Sequence, residues 1–355
     1  MNKLQKVYYE FDINSDITPY GNGHINDTYL CSLPCDFILQ RINTDIFKDP
    51  DALMENIVNV TDHIKNKIIA YNGDVMRETL CVIKTNEGKS YFKDTDGSCY
   101  RMYRFISDTL SIDKPEKCEH MFEAGKAFGK FQLLLDDFDA SKLHETIPEF
   151  HTTPKRVEQL KKAIETNYQN RVETVKEEIE ISLKYAKYSD VITSAIASGE
   201  VPLRVTHNDT KLNNILFDKD TLEGICVIDL DTVMPGSMLY DFGDALRFGA
   251  STGNEDETDL SKIEFDLDMF KAFSKGFLGE TASCLTKKEI ELLPLSALVM
   301  TYECGIRFLA DYLNGDTYFK IHREHHNLDR ARTQLKLVQD IEGKLDKMHE
   351  IIRNV

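Results

Sequence analysis

Between residues 13 and 106 the apolar positions come in short runs separated by polar breaks, and beyond residue 115 they recur at helical spacing. The segments 25–30, 37–42, 80–84, 90–93 and 99–106 are rich in β-branched and aromatic residues and are divided by turns such as Asn86-Glu87-Gly88 and Asp96-Gly97. They predict an antiparallel sheet. Pro50 opens a helix at its first turn, and Leu53, Ile57, Val60 and Ile64 form an apolar stripe able to pack on that sheet. One sheet and one helix make a small lobe, residues 1–107. Helices are predicted over 115–136, 154–198, 266–277, 287–314 and 327–353, with a strand patch near 205–230, giving a larger, mostly helical lobe at 108–355. The expected class is therefore α+β and bilobed. The heavily charged stretch 156–190 reads as a solvated helical face, and the acidic tract 253–259 as an exposed loop.

A chain of 355 residues is long enough for such an arrangement. Lys and Arg total 43 against 60 Asp and Glu, a formal charge of −17 that argues against nucleic acid as a partner. An anionic ligand must then be held by local donors. The eight cysteines are scattered without paired spacing and read as reduced core thiols; Cys31 and Cys35 lack the second pair a zinc site needs. No stretch approaches the roughly 20 apolar residues of a membrane span, and the polar start has no signal-like apolar segment, so a soluble, cytoplasmic protein is expected.

Candidate chemistry concentrates in His207-Asn208-Asp209-Thr210-Lys211-Leu212-Asn213-Asn214 and Ile228-Asp229-Leu230-Asp231. Phosphoryl transfer needs a base to take the acceptor hydroxyl's proton and oxygen ligands for Mg²⁺ on a nucleotide triphosphate. Asp209 is the candidate base, and Asn214 and Asp229 are the candidate metal ligands. Asp229 closes the apolar run Ile225-Cys226-Val227-Ile228, where a strand end can hold a carboxylate beside the loop. The literal string Asp241-Phe242-Gly243 imitates a kinase metal motif, but it lies too far along and precedes a helix-like segment, so Asp241 is expected to anchor the loop. Asp231 either reaches a second Mg²⁺ or is hydrogen-bonded behind the site. Gly21-Asn22-Gly23-His24-Ile25-Asn26 is either a turn whose amides approach the triphosphate or a plain hairpin turn.

Taken together, the sequence resembles the aminoglycoside phosphotransferase-like family, the small-molecule branch of the protein-kinase-like fold. The carrying residues are His207 to Asn214, Ile228 to Asp231, Gly236 and Asp241, with Tyr20 to Asn26, Glu303-Cys304-Gly305 and Arg307 to Leu313 closest to the branch that acts on N-acetylhexosamines. That resemblance implies ATP-dependent phosphorylation of the anomeric hydroxyl of N-acetylglucosamine or N-acetylgalactosamine. By position it makes Tyr103-Arg104-Phe105-Ile106 a hinge whose backbone at Arg104 and Ile106 meets adenine; a buried edge strand is the alternative. Gly21, Gly23 and Gln40 complete the expected ATP contacts. Gln40 is also a departure, since kinases carry a lysine there for the α- and β-phosphates. The charge would have to come from Arg41 or the turn backbone, and Arg41 points away if Gln40 points in.

Glu303, Arg307 and Asp311 recur every four residues on one helix face among apolar neighbours. A surface salt ladder would show the same spacing; the apolar surroundings favour an enclosed polar cavity. There Arg307 would fork to sugar or amide oxygens and Asp311 would accept from ring hydroxyls. The resemblance places sugar contacts on Arg307, Asp311 and Tyr318, with His24 and Phe248 near the acceptor. Two alternatives remain: another small alcohol as acceptor, such as an amino alcohol, an aminoglycoside or a different sugar, or a catalytically inactive nucleotide-binding module. A protein kinase fits least, for want of an A-P-E segment and the third-strand lysine.

Overall fold

In a computed structural model, residues 3–13, 16–21, 26–32 and 36–355 are described. The N-terminal part is a six-stranded sheet: β1 (Asp16–Pro19), β2 (Asp27–Ser32), β3 (Phe37–Ile42), β4 (Val82–Ile83), β5 (Phe92–Lys93) and β6 (Cys99–Arg104). The strands run in the order β1-β2-β3-β6-β4, with β5 also on β6, and every pairing is antiparallel. The two sheet faces have different partners because side chains alternate along each strand. Tyr103, Cys99 and Ile42 face the long helix α2 (Pro50–Ala70) and share its core with Leu53, Ile57, Val60 and Ile64. Leu39, Tyr100 and Met102 point the other way and pack with Val7 and Phe11 of the α1 region (α1, Lys3–Glu10). That first helix was not anticipated. Asp49 caps α2, its side chain accepting from the Ala52 amide, and Pro50 stands in the first turn as expected.

A short helix, α3 (Val75–Glu78), follows α2, and beyond β6 the chain turns into β7 (Thr109–Leu110). Strand β7 pairs with β9 (Ile215–Asp218), which pairs with β10 (Gly224–Val227), while β8 (Arg204–Thr206) pairs with β11 (Met234–Gly236). The helical part comprises α4 (Cys118–Leu134), α5 (Thr153–Thr166), α6 (Lys176–Tyr185), α7 (Val191–Ala197), α8 (Met238–Gly249), α9 (Leu267–Thr281), α10 (Lys287–Leu313) and α11 (His326–Asn354). The expected single helix over 154–198 is broken. Asn167, Gln169 and Asn170 adopt positive φ, which stops α5, and the chain restarts at α6. Helices α4 and α9 meet backbone to backbone, since a Cβ on Gly276 would lie 2.1 Å from the Phe122 carbonyl oxygen.

Helix α10 corrects one expectation. It is long and apolar enough by composition to cross a membrane, yet 83% of that window is buried within the protein, which makes it a core helix. Its capping box at Thr286 and Glu289 ties its start, and Tyr302, Ile306, Leu309 and Leu313 sit in the main core. Among the described residues all seven cysteines are free, and Cys35 lies outside them.

Candidate active site

Strand β8 delivers the chain to a loop that is held in place by donors and acceptors from several elements. Asp241, in the first turn of α8, accepts the amides of His207 at 2.9 Å and Asn208 at 2.8 Å, and Gln132 of α4 donates to it at 2.6 Å. Asp241 lies inside the helix instead of ahead of it, and it anchors the loop as expected. Thr210 donates to the Asp241 carbonyl at 2.6 Å, and Thr232 donates to the His207 carbonyl at 2.7 Å. Asn208 takes a left-handed φ of 66°, held by bonds from its carboxamide to Thr206 O and Thr232 O. A buried loop of this kind is tolerated because its polar groups are paired.

Asp209 projects from this loop, half-buried. Lys211 Nζ lies 2.8 Å from its Oδ1, and Asn214 Nδ2 donates to its backbone carbonyl at 2.8 Å and to Oδ2 at 3.2 Å. Burial works against the Asp209 charge, but the Lys211 ammonium overrides it and holds the carboxyl below its ordinary pKa. The Asn214 amide nitrogen is thus committed to Asp209, which turns its carbonyl oxygen away from Asp209 as a free acceptor. The Ile228 amide donates to Asn214 O at 2.9 Å and Ile228 O bonds His207 Nε2 at 2.9 Å, so the next residue, Asp229, is fastened beside the loop. Asp229 adopts a φ of 59°, an uncommon backbone for a non-glycine residue at the end of a strand. Burial, and then the neighbouring Asp231 and Asp209 carboxylates, push its pKa up to about 6.

One neutral oxygen on Asn214 and a carboxylate strained by like charge on Asp229 are a donor set that suits a hard divalent cation. Such an ion would relieve the repulsion that raises Asp229. Asp231 is not available in the same way. It is 3% exposed, accepts from Asn26 Nδ2 at 2.7 Å, and is ion-paired with the buried Arg101. It is therefore bonded behind the site.

The sheet sorts the two candidate phosphate-side residues of β3, neutral Gln40 and cationic Arg41, as alternation requires. Gln40 points inward and donates to Thr28 Oγ1 at 3.2 Å, whereas Arg41 is exposed and pairs with Asp27 at 3.2 Å. Gly21 is exposed with a φ of 72°, in keeping with a turn; Gly23 and His24 lie outside the described residues. At the end of β6 the Arg104 amide donates to Cys81 O at 3.0 Å and the Phe105 amide to Asp36 O at 3.1 Å. Among the described residues no protein acceptor takes the Ile106 amide.

The charged stripe on α10 has three separate fates, which corrects the picture of one polar cavity. Glu303 is buried and bonded by His151 at 2.9 Å and Thr153 at 2.6 Å. Asp311 is also buried, and its two oxygens accept from the amides of Thr317, Tyr318 and Phe319 and from Asn327 Nδ2, all between 2.8 and 3.0 Å. With its acceptor positions occupied, Asp311 anchors the 317–319 segment and is not free to receive ring hydroxyls. Arg307 alone keeps a half-buried guanidinium, 5.7 Å from the Phe150 ring centre and 5.5 Å from that of Phe319. Tyr318, 71% exposed, packs edge-on against Phe319. Phe248 lies on the Asp209 side, with Arg247 stacked on its ring and Lys211 at 5.4 Å.

Several contributing residues were not singled out from the sequence. Lys211 stands two positions after Asp209, a signal that was available. Arg101 is a lone charge in the apolar strand Cys99-Tyr100-Arg101-Met102-Tyr103. His151 could not have been connected to Glu303 without the fold.

A family model described as phosphotransferase enzyme family matches residues 16–269, which is most of the chain and includes the loop and both carboxylate positions. The chain belongs to the phosphotransferase enzyme family. Solved structures over the whole length of this phosphotransferase have the same fold. An aminoglycoside phosphotransferase from Alicyclobacillus acidocaldarius superposes with a TM-score of 0.68 at 12% identity, covering 99% of this chain and 96% of that one. A choline kinase from Cryptosporidium parvum gives 0.58 at 15% identity, covering 97% and 94%. An amicoumacin kinase in complex with AMP-PNP, Ca²⁺ and Ami gives 0.60 at 14% identity, covering 97% and 94%. At these identities the likeness speaks for the kinase-like fold of this phosphotransferase.

Proposed function

We propose that this phosphotransferase is an ATP- and Mg²⁺-dependent kinase that phosphorylates the anomeric hydroxyl of an N-acetylhexosamine, N-acetylglucosamine or N-acetylgalactosamine, to give the sugar 1-phosphate. The observation that carries the kinase reading is the Asp209 and Asn214 pair, bonded to each other, with Asp229 fastened alongside. Asp209 accepts the proton of the attacking hydroxyl, its carboxylate kept ionised by Lys211. The freed oxygen forms its bond to the γ-phosphorus as the bond to the ADP oxygen breaks. Asn214 and Asp229 would hold Mg²⁺, which when bound supplies positive charge against the phosphate oxygens. The open Ile106 amide supports adenine contact at the hinge, together with Arg104, and the left-handed backbone at Gly21 supports an approach of backbone donors to the phosphates, with Gly23 kept from the resemblance alone.

For the acceptor, the supporting feature is Arg307. Among the described residues no carboxylate lies within ion-pair distance of it, Glu303 feeling its charge only from further off, and Arg156 lies near enough for the Arg307 charge to act with burial in lowering the Arg156 pKa. A positive corner flanked by Phe150 and Phe319 disfavours a cationic acceptor such as the choline named for one fold relative, and favours a neutral molecule that offers oxygens. Tyr318 and Phe248 supply apolar faces to a sugar ring, and Asp311 contributes by fixing the segment that carries Tyr318. His24 is retained as an acceptor-side residue from the resemblance alone. Incubation with ATP, Mg²⁺ and a panel of N-acetylhexosamines, amino alcohols and aminoglycosides, read by phosphorus NMR, tests the proposal. An anomeric phosphate on an N-acetylhexosamine is expected, and exclusive turnover of an amine-bearing alcohol would overturn the acceptor assignment. Asp209→Asn should lower kcat by at least about 100-fold with ATP affinity nearly unchanged; near-normal turnover would remove Asp209 from its role.

A further inference from the structure

Strand β3 offers the cleft a neutral side chain where kinases of this fold carry a lysine paired with a glutamate on the following helix. Among the described residues no carboxylate of helix α2 is bonded to Gln40; Glu55 pairs with His144 and Asp51 accepts from Tyr91. The helix presents Asn56, whose carboxamide donates to His144 O at 2.8 Å and Val233 O at 3.0 Å and accepts the His144 amide at 2.8 Å. Both members of the usual pair are therefore missing from their usual elements. The positive charge sits one strand over. Arg101 on β6 is the direct cross-strand partner of Gln40, and its Nε donates to Gln40 Oε1 at 2.9 Å while its Nη1 donates to Asp231. At 1% exposure this arginine is expensive to bury, and an apolar residue would fill the same space without the desolvation penalty. A charge kept there calls for a use beyond packing.

We propose that Arg101 is the phosphate-binding cation of this enzyme, doing from β6 what Gln40 cannot do from β3, with Asp231 as the carboxylate that holds it in place. The inference rests on the kinase reading above and names a residue for it. Three neighbours bracket the guanidinium. Gln40 marks the inward position of β3; Asn26, the residue before β2, donates to the same Asp231 at 2.7 Å; and Asp229, the candidate metal ligand, is two residues before Asp231. On the kinase reading, the place where the sheet, Asn26 and the metal-side carboxylate meet is where the phosphates of a nucleotide would lie. The bonds to Gln40 and Asp231 occupy Nε and Nη1, and Nη2 is the nitrogen that donates to a phosphate oxygen, a fork that an arginine can divide between two anions.

The test is equilibrium binding of ATP and adenosine, by titration calorimetry on the full chain with Mg²⁺ present. The Arg101→Met/Asp231→Asn variant removes both charges together and leaves no unpaired ion in the core. Its ATP affinity should fall at least about tenfold, the order of a lost charge-assisted hydrogen bond, with adenosine affinity changed by less than about twofold. Arg101→Lys should keep most of the preference for ATP. Parallel weakening of both ligands would reduce Arg101 to a structural role, and an unchanged ATP affinity in the folded double variant would equally overturn the proposal. If that variant does not fold, the same comparison on Gln40→Lys/Arg101→Gln decides: a retained ATP preference supports a cation acting at this position, and loss of both ligands together opposes it. Failure of the wild-type chain to bind ATP would instead strike the kinase reading itself.

Discussion

The carboxylate of Asp241 accepts the backbone N–H of His207 at 2.9 Å, so the first turn of α8 fixes the start of the loop that carries Asp209. The Asn208 amide and the Gln132 side chain complete the set of donors around it. A string that reads like a metal motif in one dimension is thus spent on holding a loop, while Asp229, which has no such string, stands among the site's carboxylates.

Replacing Asp241 with Asn leaves one acceptor oxygen where two are used and turns an amide donor toward other donors. Asp241→Asn is expected to cost about 2–3 kcal/mol, the order of losing charge-assisted bonds to a buried group. Urea unfolding should show this as a lower midpoint at unchanged slope. Since the loop would also lose its orientation, kcat should fall more than the KM for ATP rises; a variant with full stability and activity would refute the anchor.

Glu303 provides a dependence on pH. Burial alone would raise its pKa, but His151, Arg307 and Thr153 outweigh burial and bring it below the ordinary 4.5. A carboxyl depressed in the folded state adds stability that is complete above its unfolded value and is lost as pH falls through the folded value. Glu303→Gln should accordingly cost about 3 kcal/mol at pH 7, with the gap to wild type closing below pH 4.5. Thermal unfolding across that range checks it, and a gap constant down to acid would contradict the assignment.

Arg307 and Asp311 lie one turn apart and should behave differently. Arg307→Met should raise the KM for the acceptor by about tenfold or more while costing at most about 1 kcal/mol of stability, since its guanidinium has no carboxylate within ion-pair distance and reaches Glu303 only through its charge. Asp311→Ala removes the acceptor for three successive amides and should lower stability by about 2–3 kcal/mol. Steady-state kinetics beside denaturation curves separate the two; a large stability loss in the arginine variant would reverse the interpretation.

Gly276 lies where α9 touches α4. A Cβ there would be 2.1 Å from the Phe122 carbonyl oxygen and 2.7 Å from the Lys126 amide nitrogen, backbone atoms that cannot rotate aside. Gly276→Ala should destabilise by about 1–3 kcal/mol through overpacking, more than the gain expected from helix propensity. Gly343→Ala in α11, with nothing within 4 Å of the added carbon, is the control and should be neutral or stabilising by melting temperature.

Much of the architecture was written in local periodicity. Strand β3 covers residues 37–42 as anticipated, and α10 and α11 match their expected spans to within a residue or so, because long periodic runs leave little competition. The stretch 154–198 misled because its charged composition is compatible with continuous helix, and the left-handed backbone at Asn167, Gln169 and Asn170 leaves no periodic trace. The loop chemistry was legible because Asp209 and Asn214 lie on one short segment, where spacing alone constrains geometry.

What the linear chain determined by itself was the set of reactive groups, that Gln40 and Arg41 take opposite faces of their strand, and that Asp209 and Asn214 share one loop. Which groups remain free was decided only by folding. Asp311, Glu303 and Asp231 are carboxylates in suggestive positions, yet each is claimed by donors of its own protein, distant in sequence for Glu303 and Asp231 and from the following loop for Asp311, whereas Arg307 has no carboxylate within ion-pair distance. Hydrogen bonds saturate, and a carboxylate whose lone pairs are filled by its own protein has none to give a ligand.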